Sequence, residues 1–270
     1  MSDGTSDHGP TSESVTRDPR DPGPPRVTRA RGAADGTGAA GVRRDVGVVL
    51  VAAGSGSRVG GEELKQFRWV AGKPMLLHSV QAFHARRDVA VVVVVLPKAY
   101  AADPPPWLFQ CDVDRLLIAV GGRERGDSVR NGLEDIPEEV EVVLVHDAAR
   151  PLVPDDVIDR VVAAAREGVG AIAALPVVDT LKEVDEAGNV VRTVERSRLW
   201  RAQTPQGFPR AAIERAHEQA RRDGIAATDD AALCERAGLT VRVVRGSEVA
   251  MKITEEADFA RLEALAASRA

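Results

Sequence analysis

From residue 45 onward the chain predicts an α/β protein: a mostly parallel sheet with helices on both faces. Three observations carry the prediction. Short apolar runs rich in β-branched residues recur along the chain, and they lack the polar alternation of a half-exposed strand. Segments of helical periodicity separate those runs. Prolines and glycines stand where such helices would start and stop, as Pro74, Pro154, Gly168 and Gly238 do.

Taken in order, the strand-like runs are 46–52, 89–96, 115–119, 140–145, 171–175 and 240–244. Helix-like segments cover 74–86, 128–135, 154–167, 210–222, 229–237 and 254–268. One stretch breaks the alternation. Residues 180–184 and 189–194 read as two short strands joined by Asp-Glu-Ala-Gly, with Gly188 supplying a positive φ. A hairpin set into a parallel-sheet domain predicts a projecting β-arm, at about 176–209. Residues 1–44 are rich in Gly, Pro, Asp, Arg, Ser and Thr without periodicity, and read as a disordered tail.

Composition narrows the function classes. The chain has 270 residues, 44% hydrophobic and 29% charged, which suffices for one large α/β domain. Aromatics are only 3%, so alanine and valine must fill much of the core. The formal net charge of -5 argues against general nucleic-acid binding. Cys111 and Cys234 lie far apart and in no metal-ligand spacing, as reduced cytoplasmic thiols would. No apolar stretch has the length of a membrane span, and no hydrophobic signal core opens the chain, so a cytoplasmic location is expected.

The most informative segment is 48–65, VVLVAAGSGSRVGGEELK. A buried strand runs into a turn whose Gly54, Gly56, Gly60 and Gly61 can bend tightly and present backbone N–H groups to a polyphosphate. Arg58 and Lys65 add two cations beside it. The loop is neither of the two commoner phosphate loops. Val59 stands where a dinucleotide fingerprint starting at Gly54 needs its third glycine. Glu62 and Glu63 stand where a Walker A loop needs Lys and Ser or Thr.

Other strand ends carry matching chemistry. VVLVHDAARPL (142–152) puts Asp147 at the carboxyl end of an apolar run, the usual place for a carboxylate that holds Mg²⁺ against phosphate oxygens. Arg150 precedes a proline and so lies in extended or turn backbone, from which it could face the site. His146 reads as a structural histidine. GGRERGDS (121–128) could line a base or ribose through its glycines, Arg125 and Ser128, with Ser128 at the start of the next helix. Arg196 follows the hairpin, Thr204-Pro205-Gln206 reads as a rigid turn, and Lys252 follows the last strand.

Together these motifs resemble the 2-C-methyl-D-erythritol 4-phosphate cytidylyltransferases of the non-mevalonate isoprenoid pathway. The resemblance lies in AAGSGSR (52–58), LKQF (64–67), VHDAARP (145–151), TPQGF (204–208), ATDDA (227–231) and MKIT (251–254), in the family's order and spacing. It implies a Rossmann-like sheet of the nucleotide-diphospho-sugar transferase type, over residues 45–270. It also implies the reaction of CTP with methylerythritol phosphate, releasing pyrophosphate. By resemblance, Arg58 and Lys65 stabilise charge at the α-phosphorus, and Lys252, also catalytic, helps the neighbouring Asp147. Asp147 holds Mg²⁺. Ala52, Ala53, Gly54, Gly56, Ser57, Gly121, Arg125, Ser128 and Asp147 contact the nucleotide. Arg150, Thr180, Arg196 and Thr204 contact the second substrate, with the arm reaching across a homodimer. Some relatives are fused to a cyclodiphosphate synthase; this chain closes after the transferase's last helix, so a single activity is expected. The alternatives are a ribitol-5-phosphate cytidylyltransferase, which more often carries HDAVRP where this chain has HDAARP, and a non-catalytic nucleotide-binding protein on the same scaffold.

Overall fold

The computed structural model describes residues 43–54 and 64–268. The tail (1–42 of the 1–44 assigned to it) and Gly56, Ser57 and Arg58 therefore lie outside the described residues. A seven-stranded sheet organises the rest. Its strands are β1 (Val46–Val51), β4 (Val89–Leu96), β5 (Leu116–Val120), β6 (Val142–Asp147), β7 (Gly170–Pro176), β10 (Trp200–Pro209) and β11 (Val241–Arg245), in the order β11-β7-β10-β6-β1-β4-β5. β1 pairs in parallel with β4 and β6, β4 with β5, and β11 with β7. Only β10 runs antiparallel, between β6 and β7.

The side-chain period of two explains how both faces are covered. Val48 and Leu50 of β1, with Val92 and Val94 of β4, pack against Leu76, Val80 and Phe83 of α1 (Met75–His84) and Val157, Ile158 and Val161 of α4 (Asp155–Arg166). Val49, Val91, Val93 and Val95 point the other way. They meet Val129 and Leu133 of α3 (Arg125–Glu134), Ile213 and Ala216 of α5 (Arg210–Asp223) and Leu233 of α6 (Asp230–Arg236). Each fully buried Val or Leu contributes roughly 1.5–3 kcal/mol, so these two layers dominate the driving force. A smaller core seats α7 (Ala257–Ala267): Phe259 and Leu262 pack with Val70 and Met75 beside the short ribbon β2 (Trp69–Val70) and β3 (Lys73–Pro74). A short helix, α2 (Lys98–Ala102), follows β4.

The arm is present as β8 (Leu181–Val184) paired antiparallel with β9 (Val190–Val194), and Gly188 in its turn has φ 83°. It is shorter than expected. Residues 200–209 return to the main sheet as β10, and Thr204-Pro205-Gln206 is part of that strand rather than a free turn. Pro205 cannot donate to a ladder, and the pairing of β10 with β7 shifts register between Ala202 and Gln206, where it sits. Gly207 allows the close packing of α4 over β10: a Cβ there would lie 2.5 Å from Val161. The helix starts differ slightly as well. Pro74 and Pro154 stand just before their helices rather than in the first turn, and α3 begins at Arg125, so Ser128 lies inside it.

Candidate active site

A cavity of about 510 Å³ opens at the carboxyl ends of β1 and β6 and the loop after β5. Ligands of open α/β sheets bind at that end. Its walls include Ala52, Ala53, Gly54, Lys65, Gln66, Gly122, Arg123, Arg125, Ser128, Asp147, Lys252 and Thr254. The ends of β1 and β6, with the segment after the turn at 248–250, thus bring together residues as far apart as Ala52 and Thr254.

The floor is backbone held close. Gly121 N donates to Leu96 O at 2.7 Å, and a Cβ on Gly121 would lie 2.3 Å from Ala53 Cβ. Only glycine fits where these two strand ends approach. Ser128 is buried, and its hydroxyl accepts from Gly122 N (3.1 Å) and donates to Glu124 O (3.2 Å). It therefore shapes the 121–124 loop, while Glu124 caps α3 and Asp127 Oδ2 accepts from the Glu124 N–H. Gln66 went unassigned in the sequence. Its buried amide donates to Ala52 O at 2.7 Å and to Gly54 O at 3.3 Å, fixing the take-off of the glycine loop.

Asp147, the last residue of β6, is the charge centre. Lys252 Nζ donates to its Oδ2 at 2.7 Å, and Arg125 Nε and Nη2 approach its Oδ1 at 3.4 Å. Burial favours the protonated acid, but Arg125, then Lys252, outweigh it and hold the carboxyl well below the usual carboxylate range. A unit charge 3.4 Å away is worth about 5 kcal/mol at an effective dielectric of 20, enough to explain the outcome. Lys65 reaches the same mouth and donates to Ile253 O at 2.7 Å. Thr254 is held by Asp258, whose Oδ2 accepts from its N–H and hydroxyl.

Behind Asp147 runs a directed relay. His146 is fully buried and contacts Arg150 O at 3.0 Å through Nε2. A carbonyl only accepts, so Nε2 carries the proton and Nδ1 accepts from the Thr204 hydroxyl (3.1 Å). The Thr204 oxygen in turn accepts from Asp147 N at 3.0 Å. Burial lowers the His146 pKa to about 4, which keeps the ring neutral as this relay requires. Arg150 donates to Ala250 O (2.8 Å) and Ala202 O (3.4 Å), and its Nε is buried with no partner among the described residues.

The cavity thus gathers Ala52, Ala53, Gly54, Lys65, Arg125, Ser128, Asp147 and Lys252 from the residues singled out in the sequence. Gly121 sits just beneath, and Thr204 and Arg150 lie behind Asp147 rather than on the wall. Thr180 and Arg196 are exposed at the base of the arm, where Arg196 donates to Val178 O. Among the described residues no group of three or more His, Cys, Asp or Glu could enclose a metal ion. A single ionised carboxylate still suits Mg²⁺, which commonly takes one or two carboxylates and completes its shell with substrate phosphates and water.

Comparison with known proteins gives a consistent result. The family model for 2-C-methyl-D-erythritol 4-phosphate cytidylyltransferase (IspD) matches residues 46–268. A protein of that name from Streptomyces coelicolor is 44% identical over 234 residues, covering 82% of this chain and 84% of its own. The crystal structure of the Thermus thermophilus protein of that name superposes with a TM-score of 0.68 at 37% identity, covering 81% of this chain and 98% of its own. The crystal structure of 4-diphosphocytidyl-2C-methyl-D-erythritolsynthase from Anaerococcus prevotii gives a TM-score of 0.73 at 26% identity, covering 83% and 96%.

Proposed function

The chain belongs to the 2-C-methyl-D-erythritol 4-phosphate cytidylyltransferase family, and from that membership we propose how its residues divide the work. It transfers CMP from CTP to 2-C-methyl-D-erythritol 4-phosphate, giving 4-diphosphocytidyl-2-C-methyl-D-erythritol and pyrophosphate in isoprenoid precursor biosynthesis. A phosphate oxygen of the acceptor forms a bond to the α-phosphorus of CTP. The bond from that phosphorus to the β-phosphate oxygen breaks, and its electron pair leaves with pyrophosphate.

The observation that carries the residue assignment is the cluster of Lys65, Arg125, Asp147 and Lys252 around one cavity. Charge accumulates on the oxygens of the five-coordinate phosphorus, and cations fixed in advance lower that barrier without reorganising. Lys65 takes this role, with Arg58 as its companion on the glycine loop and Lys252 beside Asp147. Asp147 would hold Mg²⁺, which neutralises phosphate charge when bound. The backbone of Ala52, Ala53, Gly54 and Gly121, with Gly56 and Ser57 of the loop, receives the nucleotide, and Arg125 and Ser128 shape its pocket. Arg150 has an unpartnered nitrogen and no carboxylate in hydrogen-bond contact among the described residues, which suits the anionic acceptor; Thr204 supports it from behind. Thr180 and Arg196 serve the acceptor across a homodimer formed by the arm. The dimer is supported by Val184, Val190 and Val191, each more than half exposed on a ribbon that would be marginal alone. A cytoplasmic setting is supported by two unpaired thiols. Among the described residues, no helix is long and apolar enough to cross a membrane.

Pyrophosphate release from CTP and Mg²⁺ tests the reading, with methylerythritol phosphate and ribitol 5-phosphate compared as acceptors. Release with the first alone is expected. Release with ribitol 5-phosphate alone would reassign the acceptor, and silence with both would leave a binding protein.

A further inference from the structure

One buried carboxylate beside the site has no part in the chemistry above. Asp230 opens α6 and is 1% exposed. Its Oδ1 accepts from His217 Nε2 of α5 at 3.0 Å, and its Oδ2 accepts from Arg125 Nη1 at 2.7 Å. Arg125 therefore bridges two carboxylates unequally. Its short contact goes to Asp230, which does not line the cavity; its long contacts, both 3.4 Å, go to Asp147, which does. A guanidinium facing one carboxylate closes to a two-pronged contact of about 2.8 Å. Something holds Arg125 back.

A plain helix-start role does not account for Asp230. The start of α6 is already served by Asp229, whose Oδ1 accepts from Ala232 N at 3.0 Å, and by Gln206, whose Oε1 accepts from Ala231 N at 3.0 Å. Both oxygens of Asp230 are turned instead to side chains 13 and 105 positions away. His217 is itself 3% exposed, so the pair forms a fixed anchor inside the protein.

We propose that Asp230, seated by His217, is a positioning residue that draws Arg125 away from Asp147 and leaves one Asp147 oxygen accessible to the cation and phosphates of the nucleotide. This rests on the nucleotide reading of the cavity and deepens it. With Asp230 neutral, Arg125 has one carboxylate left and closes on Asp147, competing with the cation.

The test is CTP binding by titration calorimetry across a Mg²⁺ series, alongside kcat and KM, for wild type, D230N, R125M and the double variant. For D230N the Mg²⁺ concentration giving half-maximal CTP binding is expected to rise about 10-fold, while KM for the acceptor stays within about 2-fold. In the R125M background the same change is expected to add nothing, because the effect passes through Arg125. H217F removes only the donor to Oδ1 and is expected to move the Mg²⁺ requirement the same way by about 3-fold, which keeps the test open should D230N not fold. An unchanged Mg²⁺ requirement in a folded variant, or effects of D230N and R125M that multiply, would overturn the proposal alone. A wild type that binds no CTP would overturn the nucleotide reading and the proposal with it.

Discussion

The two ends of the sheet carry two networks of arginine and aspartate, and they differ in how their charges are matched. At the amino ends, Arg166 Nη2 meets Asp45 Oδ1 at 2.6 Å and Asp88 Oδ2 at 3.2 Å, and Arg86 meets Asp88 at 3.0 Å and Asp159 at 2.7 Å. Both arginines spend their charge on neighbouring carboxylates. At the carboxyl ends, Arg125 stands 2.7 Å from Asp230 and 3.4 Å from Asp147, Lys252 meets Asp147 at 2.7 Å, and Lys65 and Arg150 reach backbone carbonyls close by. A groove lined by Arg43, Asp45, Arg86 and Arg166 crosses the first network too, so concavity does not separate them. What separates them, among the described residues, is that cations outnumber carboxylates along the cavity wall, a balance a polyphosphate can complete. The same residue types thus hold a fold at one end and await a substrate at the other.

The strongest way to break this comparison is to remove charge at the carboxyl end. D147N is expected to leave little activity at any Mg²⁺ concentration. K65A should lower kcat about 100-fold or more while CTP affinity changes far less, if its charge acts on the transition state as proposed. Steady-state kinetics with calorimetry reads both; weaker binding at unchanged kcat would make Lys65 a ground-state contact. At the amino end the signs reverse. R86M should leave kcat within about 2-fold but cost about 2–3 kcal/mol in urea unfolding, less than the full penalty for orphaning a buried charge because Arg166 still faces Asp88.

A further expected effect concerns His146, which belongs to the carboxyl end yet acts on stability. Burial places its folded pKa near 4, below the usual 6.5. The unfolded chain binds the extra proton first, so the stability His146 contributes is complete above pH 6.5 and is lost as pH falls to about 4. The slope from this residue is at most about 1.4 kcal/mol per pH unit. Equilibrium unfolding across that window should be flatter in H146Q; an unchanged slope would show that other groups carry the pH dependence.

How much of this was legible in the sequence depended on whether the signal was local. The valine run of β4 is buried on both faces and matches its predicted limits of 89–96. The β10 strand was missed because Pro205, Gly207 and two glutamines read as a turn, and only packing against α4 and pairing with β6 and β7 make it a strand. In the site, Lys65, Asp147 and Lys252 were found because strand ends announce themselves. Gln66, His217 and Asp230 were not singled out: their partners lie on other elements, and ATDDA gives no sign that its second aspartate turns toward Arg125.

The pairing of early and late chain at the cavity has a consequence for synthesis. Lys65 bonds to Ile253 O, Arg68 pairs with Glu256 and Lys252 meets Asp147, so contacts 188 and 105 residues apart close the site. A nascent chain emerging in order exposes its glycine loop and Asp147 long before Lys252 arrives. Until the segment around Ile253 docks, Asp147 lacks its contact with Lys252 and Lys65 its carbonyl anchor. Closure of the candidate site is thereby tied to completion of the domain, and a truncated translation product would lack the segment to which Lys65 and Asp147 are joined.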